Sequence, residues 1–162
     1  MNRQRQSGLA TVEFALVSTA LFVMMFGVLE IGRAYFVYAT LDEVTRRGAR
    51  LAAVCPVNDP AVPRLAVFNS SADASNSDIV VGLSPTHVII EYLDDSNALV
   101  ANPGDPAQFL QIRYVRARLA NYQHQFSVPF VTGLANILMP EFAAVLPRES
   151  LGVPRDGEIT PC

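Results

Sequence analysis

One run of residues constrains this chain more than any other: Leu9 to Leu29, in which every residue is apolar or small except Glu13. As a helix, a run of that length spans a hydrocarbon core of ~30 Å. A carboxylate inside such a segment costs ~3 kcal/mol near mid-membrane and less near the interface, so Glu13 is a functional candidate by default. Ahead of the run, Met1 to Gly8 carries Arg3 and Arg5, three neutral polar side chains and no acid.

An ordinary secretory signal explains the run poorly. Such signals have an apolar region of roughly 7–15 residues followed by a small-x-small cleavage site. Here the run is longer and contains Glu13, and Glu30-Ile31-Gly32-Arg33-Ala34-Tyr35 offers no convincing site. The better position for a cut is before the run, at Gly8–Leu9, which leaves the apolar segment on the mature protein. This arrangement resembles the class III signal of type IV pilins and pseudopilins, which is cut after Gly and has Glu as its fifth mature residue. Glu13 is fifth from Leu9. Within that superfamily, Ser7-Gly8-Leu9-Ala10-Thr11-Val12-Glu13-Phe14-Ala15-Leu16-Val17 resembles the TadE-like proteins of tight-adherence (Tad, or Flp) pilus systems. Arg46-Arg47-Gly48-Ala49-Arg50-Leu51-Ala52-Ala53 is similar to the segment closing the long helix in that family. The resemblance covers about the first 55 residues.

The resemblance implies a minor pseudopilin, a structural component of Tad pilus assembly and a substrate of a prepilin peptidase. Its other implied partners are pilins and pseudopilins, Tad inner-membrane assembly proteins and membrane lipid. It also implies a role for Glu13, with Phe14 beside it. Cleavage creates an ammonium at Leu9, and an unpaired charge in low dielectric is costly, so each seeks a partner. In pilins that Glu pairs with the terminal amine of a neighbouring subunit. Gly27, Gly32, Ala20, Ala34 and Ala39 are small residues that allow close helix approach, as they also occur in a generic anchor.

The flanking charges orient the segment. Arg3 and Arg5 precede it, and Glu30 then Arg33 follow, which keeps the N-terminus cytoplasmic and places the body outside. In a bacterium the body is then periplasmic, where disulfides form. The two cysteines, Cys55 and Cys162, are expected to pair; the alternatives are two unrelated thiols or a bond to another subunit. The net charge of −3 becomes −5 when Arg3 and Arg5 leave with the leader (−3 − 2). The dispersed basic residues give no nucleic-acid footprint, and the densest group, Arg46, Arg47 and Arg50, suits a helix C-terminus.

Beyond the membrane the helix is expected to continue to Val54. No proline interrupts Glu30 to Val54, and Ile31, Ala34, Tyr38, Leu41, Val44, Gly48 and Leu51 recur at helical spacing. Pro56 supplies the stop. The expected divisions are therefore a leader (1–8), a transmembrane half-helix (9–29), a periplasmic half-helix (30–55) and a periplasmic α+β domain (56–162). In the last of these, Arg64–Phe68 suggests a short helix or strand. Ile79–Leu83 and His87–Leu93 read as strands, followed by a turn at Asp94–Asn97 and a short return strand at Ala98–Ala101. Asn102–Pro106 is a turn. Phe109–Leu119 and Tyr122–Pro129 read as an antiparallel pair joined at Ala120-Asn121, Phe130–Leu146 as a short helix broken by Pro140, and Pro147–Cys162 as an irregular tail.

No catalytic or cofactor site emerges. His87 and His124, the only histidines, lack HxxxH or HExxH contexts and read as ordinary strand residues. No Gly-x-Ser-x-Gly elbow, CxxC pair or phosphate-binding glycine loop is present. Asp94-Asp95 has the composition of a turn, and Asp73, Asn76 and Asp78 are only loosely spaced oxygen ligands for calcium. Two rival readings remain. One is a pilin that is a bulk filament subunit; the other is a membrane-anchored periplasmic binding domain, unrelated to pili, that keeps its leader.

Overall fold

The computed structural model describes residues 3–71, 76–126, 136–153 and 162, with backbone alone for residues 3–7. A single helix, α1, runs from Arg3 to Val54, ~78 Å at 1.5 Å per residue. It divides by what surrounds it. From Gly8 to Leu29 its side chains are exposed or, at Ser18 and Gly27, half-exposed, whereas from Glu30 onward one face is buried. That face comprises Val37, Leu41, Val44, Thr45, Gly48, Ala49, Ala52 and Ala53. Leu41, Val44 and Gly48 are in the expected stripe. Ile31 is 71% exposed and Tyr38 47% exposed, so the upper end of that stripe is rotated away from the core.

The α+β class is as expected: the long apolar helix is followed by short helices and small antiparallel sheets. Helix α2 (Ala61–Ala66) and a 3₁₀ turn (Pro85–His87) lead into β1 (Val88–Leu93); α3 (Pro106–Phe109) precedes β2 (Tyr114–Leu119). Strands β3 (Gln123–Gln125), β4 (Asn136–Leu138) and β5 (Phe142–Pro147) complete the described elements. One sheet has the order β1-β2-β5, all antiparallel, with Val88 opposite Leu119 and Leu119 opposite Phe142. The other is the β3-β4 ribbon, with His124 opposite Ile137.

Period-two alternation decides which face of β2 meets the helix. Val115, Ala117 and Leu119 are buried against α1, and Arg116 and Arg118 lie on the other face. There Glu91 of β1 accepts from both guanidinium groups, at 2.6 Å from Arg116 Nε and 2.9 Å from Arg118 Nε. Burial would raise the Glu91 pKa, but the hydrogen bonds and charges of Arg118 and Arg116 prevail and hold it below the ordinary carboxylate range. Small residues set the helix–sheet distance. A Cβ at Gly48 would lie 3.2 Å from the Ala117 Cβ, so any larger side chain would push the sheet away.

The chain's end caps this helix. A helix C-terminus leaves carbonyls unpaired, and here Leu151 N–H donates to Ala53 O at 3.2 Å, Gly152 N–H to Val54 O at 2.6 Å, and Ser150 Oγ to Val54 O at 3.0 Å. Gly152 has φ +77°, and a Cβ there would come within 2.6 Å of Pro56, which restricts the position to glycine. Cys162 is disulfide-bonded to Cys55, with Cα atoms 5.7 Å apart.

Several local expectations are corrected. Ile79–Leu83 forms bends and a turn, because Ser77 Oγ accepts from the backbone N–H groups of Ile79 and Val80 and pulls that segment out of extended pairing. His87 ends the 3₁₀ turn rather than lying in a strand, with its Nδ1 accepting from Ser84 N–H at 3.0 Å. Ala98–Ala101 contributes only an isolated bridge between Leu99 and Leu93. Phe109 closes α3, which Asp105 caps through Ala107 N–H at 2.8 Å, so the strand starts at Tyr114. β2 pairs with β5, not with the following β3. Asn121, at φ +61°, breaks the chain direction between them. Within Phe130–Leu146 the described residues form β4 and β5 rather than a helix. Val128–Pro129 of the expected second strand, Asp73 of the loosely spaced oxygens, and most of the tail after Val153 lie outside the described residues.

Candidate functional site along the N-terminal helix

The Gly8–Phe14 segment occupies one continuous stretch of α1, and its residues are exposed. Leu9 is 65% exposed, Phe14 is 75% exposed, and Glu13 is exposed with no hydrogen bond or ion pair among the described residues. Leu9 and Glu13 stand four residues apart, one helical turn, and so share a face. The geometry brings the backbone nitrogen of Leu9 and the carboxylate of Glu13 to the same side of the helix. Glycine in a helix interior costs ~1 kcal/mol relative to alanine. At Gly8, Gly27 and Gly32 no atom lies within 4 Å of a built Cβ. Packing in this chain therefore does not call for those three glycines, in contrast to Gly48.

The whole stretch is long and apolar enough to cross a membrane, and only 6% of its most apolar window is buried. A core helix of this hydropathy would be covered; this one is bare until Glu30.

A second cluster marks that boundary, and the sequence did not reveal it. Glu30 is 9% exposed although charged. Arg33, one turn on, donates through Nε to Glu30 Oε2 at 3.3 Å, and its Nη2 reaches both Glu30 Oε1 and the carbonyl of Gln125. His124 lies 1% exposed, with Nε2 3.8 Å from Glu30 Oε1 and no hydrogen bond to that nitrogen among the described residues. The Phe126 ring meets the imidazole edge-on, with centroids 5.0 Å apart. Burial, aided by the Arg33 guanidinium, depresses the His124 pKa, against the opposing pull of Glu30. The neutral form of the imidazole is thus favoured, beside a carboxylate that Arg33 contacts. Arg33, Val37, Val81, Tyr122, His124 and Gln125 enclose a cavity of about 100 Å³. The Glu30/Arg33 spacing of three was visible in the sequence as a helix-face pair. The placement of His124 was not, because it depends on a ribbon that folds back across ninety residues.

The disulfide and tail lie at the far end of the helix. Cys55 is fully buried beside Ala52, Val62, Tyr92 and Ile112. Tyr92 Oη accepts from Asn58 N–H at 3.2 Å, and burial raises its pKa. Among the described residues, no group of three or more His, Cys, Asp or Glu is arranged to hold a metal ion. Asp94 accepts from Ser96 Oγ and from the N–H groups of Ser96 and Ala98, which identifies it as a turn-former.

No curated protein sequence and no solved structure shows significant similarity to the chain. The family model for TadE-like proteins matches residues 8–50, which is α1 from Gly8 through the Arg46–Arg50 segment and none of the sheet strands. In its first third, then, this chain is similar to TadE-like proteins, a family associated with Tad pili.

Proposed function

We propose that this protein is a minor pseudopilin that takes part in assembling a Tad pilus, matured by a prepilin peptidase at Gly8–Leu9. The observation that carries the reading is the exposed half-helix: a membrane-length apolar segment that bears Gly8, Glu13 and Phe14 and has only 6% of its most apolar window buried among the described residues. Glycine at position 8 has no packing role in the fold, and a peptidase that must draw the scissile backbone into an extended site gives it one. Cleavage leaves an ammonium at Leu9 one turn from Glu13. In lipid both charges need partners, and a neighbouring pilin helix supplies the complementary pair. The function is structural, and the protein is the substrate of an enzyme rather than an enzyme.

In this reading residues 1–8 are the leader, 9–29 cross the inner membrane, and the domain after Glu30 lies in the periplasm. The disulfide supports the orientation, since such bonds persist in oxidising compartments. The substantial sheet domain after the helix suits a minor component better than a bulk filament subunit, whose Flp-type relatives are scarcely more than the helix. The test is mass spectrometry of the membrane-extracted protein from cells containing a prepilin peptidase. A mature N-terminus at Leu9 is expected; an intact Met1 leader would overturn the pseudopilin reading in favour of a simple anchor.

A further inference from the structure

We propose that the helix-exit end of the sheet domain is a lipid-contacting rim, with Val81, Ile137 and Leu138 seated in the interfacial layer of the bilayer. The inference rests on the reading that residues 9–29 span the membrane. If they do, the bilayer surface lies at Glu30, and whatever part of the domain surrounds the helix at that level must face lipid headgroups. Among the described residues, two segments surround it. The β3-β4 ribbon reaches down to Glu30 through His124, and Gln125 carbonyl accepts from Arg33. The turn at 79–82 is fixed beside Arg33 and Val37, where Val81 lines the same cavity and its carbonyl accepts from Tyr122 Oη at 3.0 Å.

Both segments present apolar side chains outward at that level. Val81 is 80% exposed, Leu138 62% and Ile137, opposite His124 in the ribbon, 47%. In water these exposures are unfavourable, at roughly 25 cal/mol per Å² of apolar surface. They adjoin the lipid-facing helix surface, where Ile31 and Tyr35 are 71% and 75% exposed. Tyrosine at such a position suits the boundary between hydrocarbon and headgroups. The charged groups at the same level are paired: Glu30 and Arg33 bind each other, and the Gln125 carbonyl takes a further guanidinium contact, while the Gln125 and Asn136 side chains are exposed at the level of the headgroups. The rim thus shows apolar surface to the bilayer and keeps its charges satisfied. Its occupant is the interfacial layer of a phospholipid bilayer, recognised by apolar insertion rather than by headgroup charge.

The test uses the full chain reconstituted in phosphatidylcholine vesicles, with single cysteines added at Val81, Ile137, Leu110 or Phe22 and labelled with an environment-sensitive fluorophore while the native disulfide stays closed. Leu110 is exposed near Asp94, Gln111 and Arg113, at the opposite end of the domain, and serves as the water-facing reference. Lipids spin-labelled near the headgroup should quench the Val81 and Ile137 probes at least threefold more than the Leu110 probe, with little dependence on anionic lipid content. Deep-chain labels should quench Phe22. Quenching of Phe22 with Val81 and Ile137 no better quenched than Leu110 would overturn the rim while leaving the span intact. Loss of Phe22 quenching would refute the span itself. Weak quenching of the Val81 and Ile137 probes that rises when protein is diluted at constant lipid would assign the surface to a second copy of the chain, and would also overturn the proposal.

Discussion

Replacing Cys162 with serine should lower the thermal stability of the domain by an amount set mainly by the loop the disulfide closes. Cys55 and Cys162 are 107 residues apart. On the chain-entropy account a loop of that size is worth ~4.8 kcal/mol, and measured losses of native disulfides run from about 2 to 5 kcal/mol. The unfolding part of the chain, from Glu30 on, has an unfolding entropy of ~0.28 kcal/mol/K at ~2.1 cal/mol/K per residue. The expected fall in Tm is therefore ~7–18 °C. Near-UV circular dichroism in detergent follows the transition, because Tyr92 and Tyr122 are buried at 3% and 2% exposure while the exposed apolar run Leu9–Leu29 contains no tyrosine. Wild-type protein melted with reductant should coincide with Cys162→Ser. The tail's hydrogen bonds to Ala53 and Val54 would persist at low temperature and fray first. A shift below ~2 °C, with the bond verified as closed in the wild type by failure to alkylate, would refute the argument. It would mean that the tail is already held by those backbone contacts or that the unfolded chain is not appreciably restricted.

Four other outcomes follow from the same structure. Gly8→Leu should retain the leader, detected as the full-length mass, and abolish pilus formation; normal maturation would show the cut lies elsewhere. Glu13→Gln should still be cleaved and inserted but lose co-purification with other pilins. Stranding a buried charge costs ~3–5 kcal/mol, more than a hundredfold in association, so unchanged co-purification would mean that Glu13 is only tolerated. Because His124 is held neutral in the fold and protonates more readily when unfolded, the unfolded state binds more protons as pH drops below ~6.5. Stability should thus fall on acidification from pH 7.5 to 5.5, and His124→Phe should flatten that slope; identical slopes in melts at the two pH values would contradict the assignment. Gly48→Val should cost ~1–3 kcal/mol by overpacking against Ala117 and Ala66, whereas Gly32→Ala, with open space around it, should not destabilise; equal melting temperatures for the two would place the helix–sheet contact elsewhere.

What was legible in the sequence was local, and what was not depended on which segments meet. The helix from Leu9 to Val54 follows from an unbroken apolar run, helical spacing and Pro56, all within one element, although α1 begins earlier, at Arg3. The α+β class followed from β-rich segments after that helix, and β1 and β2 lie within runs read as strands. Partner choice was not available in the same way. The run Phe142–Leu146 is apolar without clear alternation, so it fits a buried helix as well as a strand, and only pairing with β2 decides the matter. Asp105 capping α3 removes Phe109 from the strand that its own β-propensity favoured, a case of local side-chain chemistry overriding a weak preference. The candidate residues divide along the same line. Gly8, Leu9, Glu13 and Phe14 stand out because their chemistry is odd for their immediate neighbours. Glu30, Arg33 and His124 are unremarkable among theirs and acquire meaning only when the β3-β4 ribbon returns to the helix where the apolar run ends. An acid buried at that point would oppose the fold unless a cation and a neutral imidazole covered it. The sheet domain is therefore also tied to the helix at the point where the exposed apolar run ends and its buried face begins.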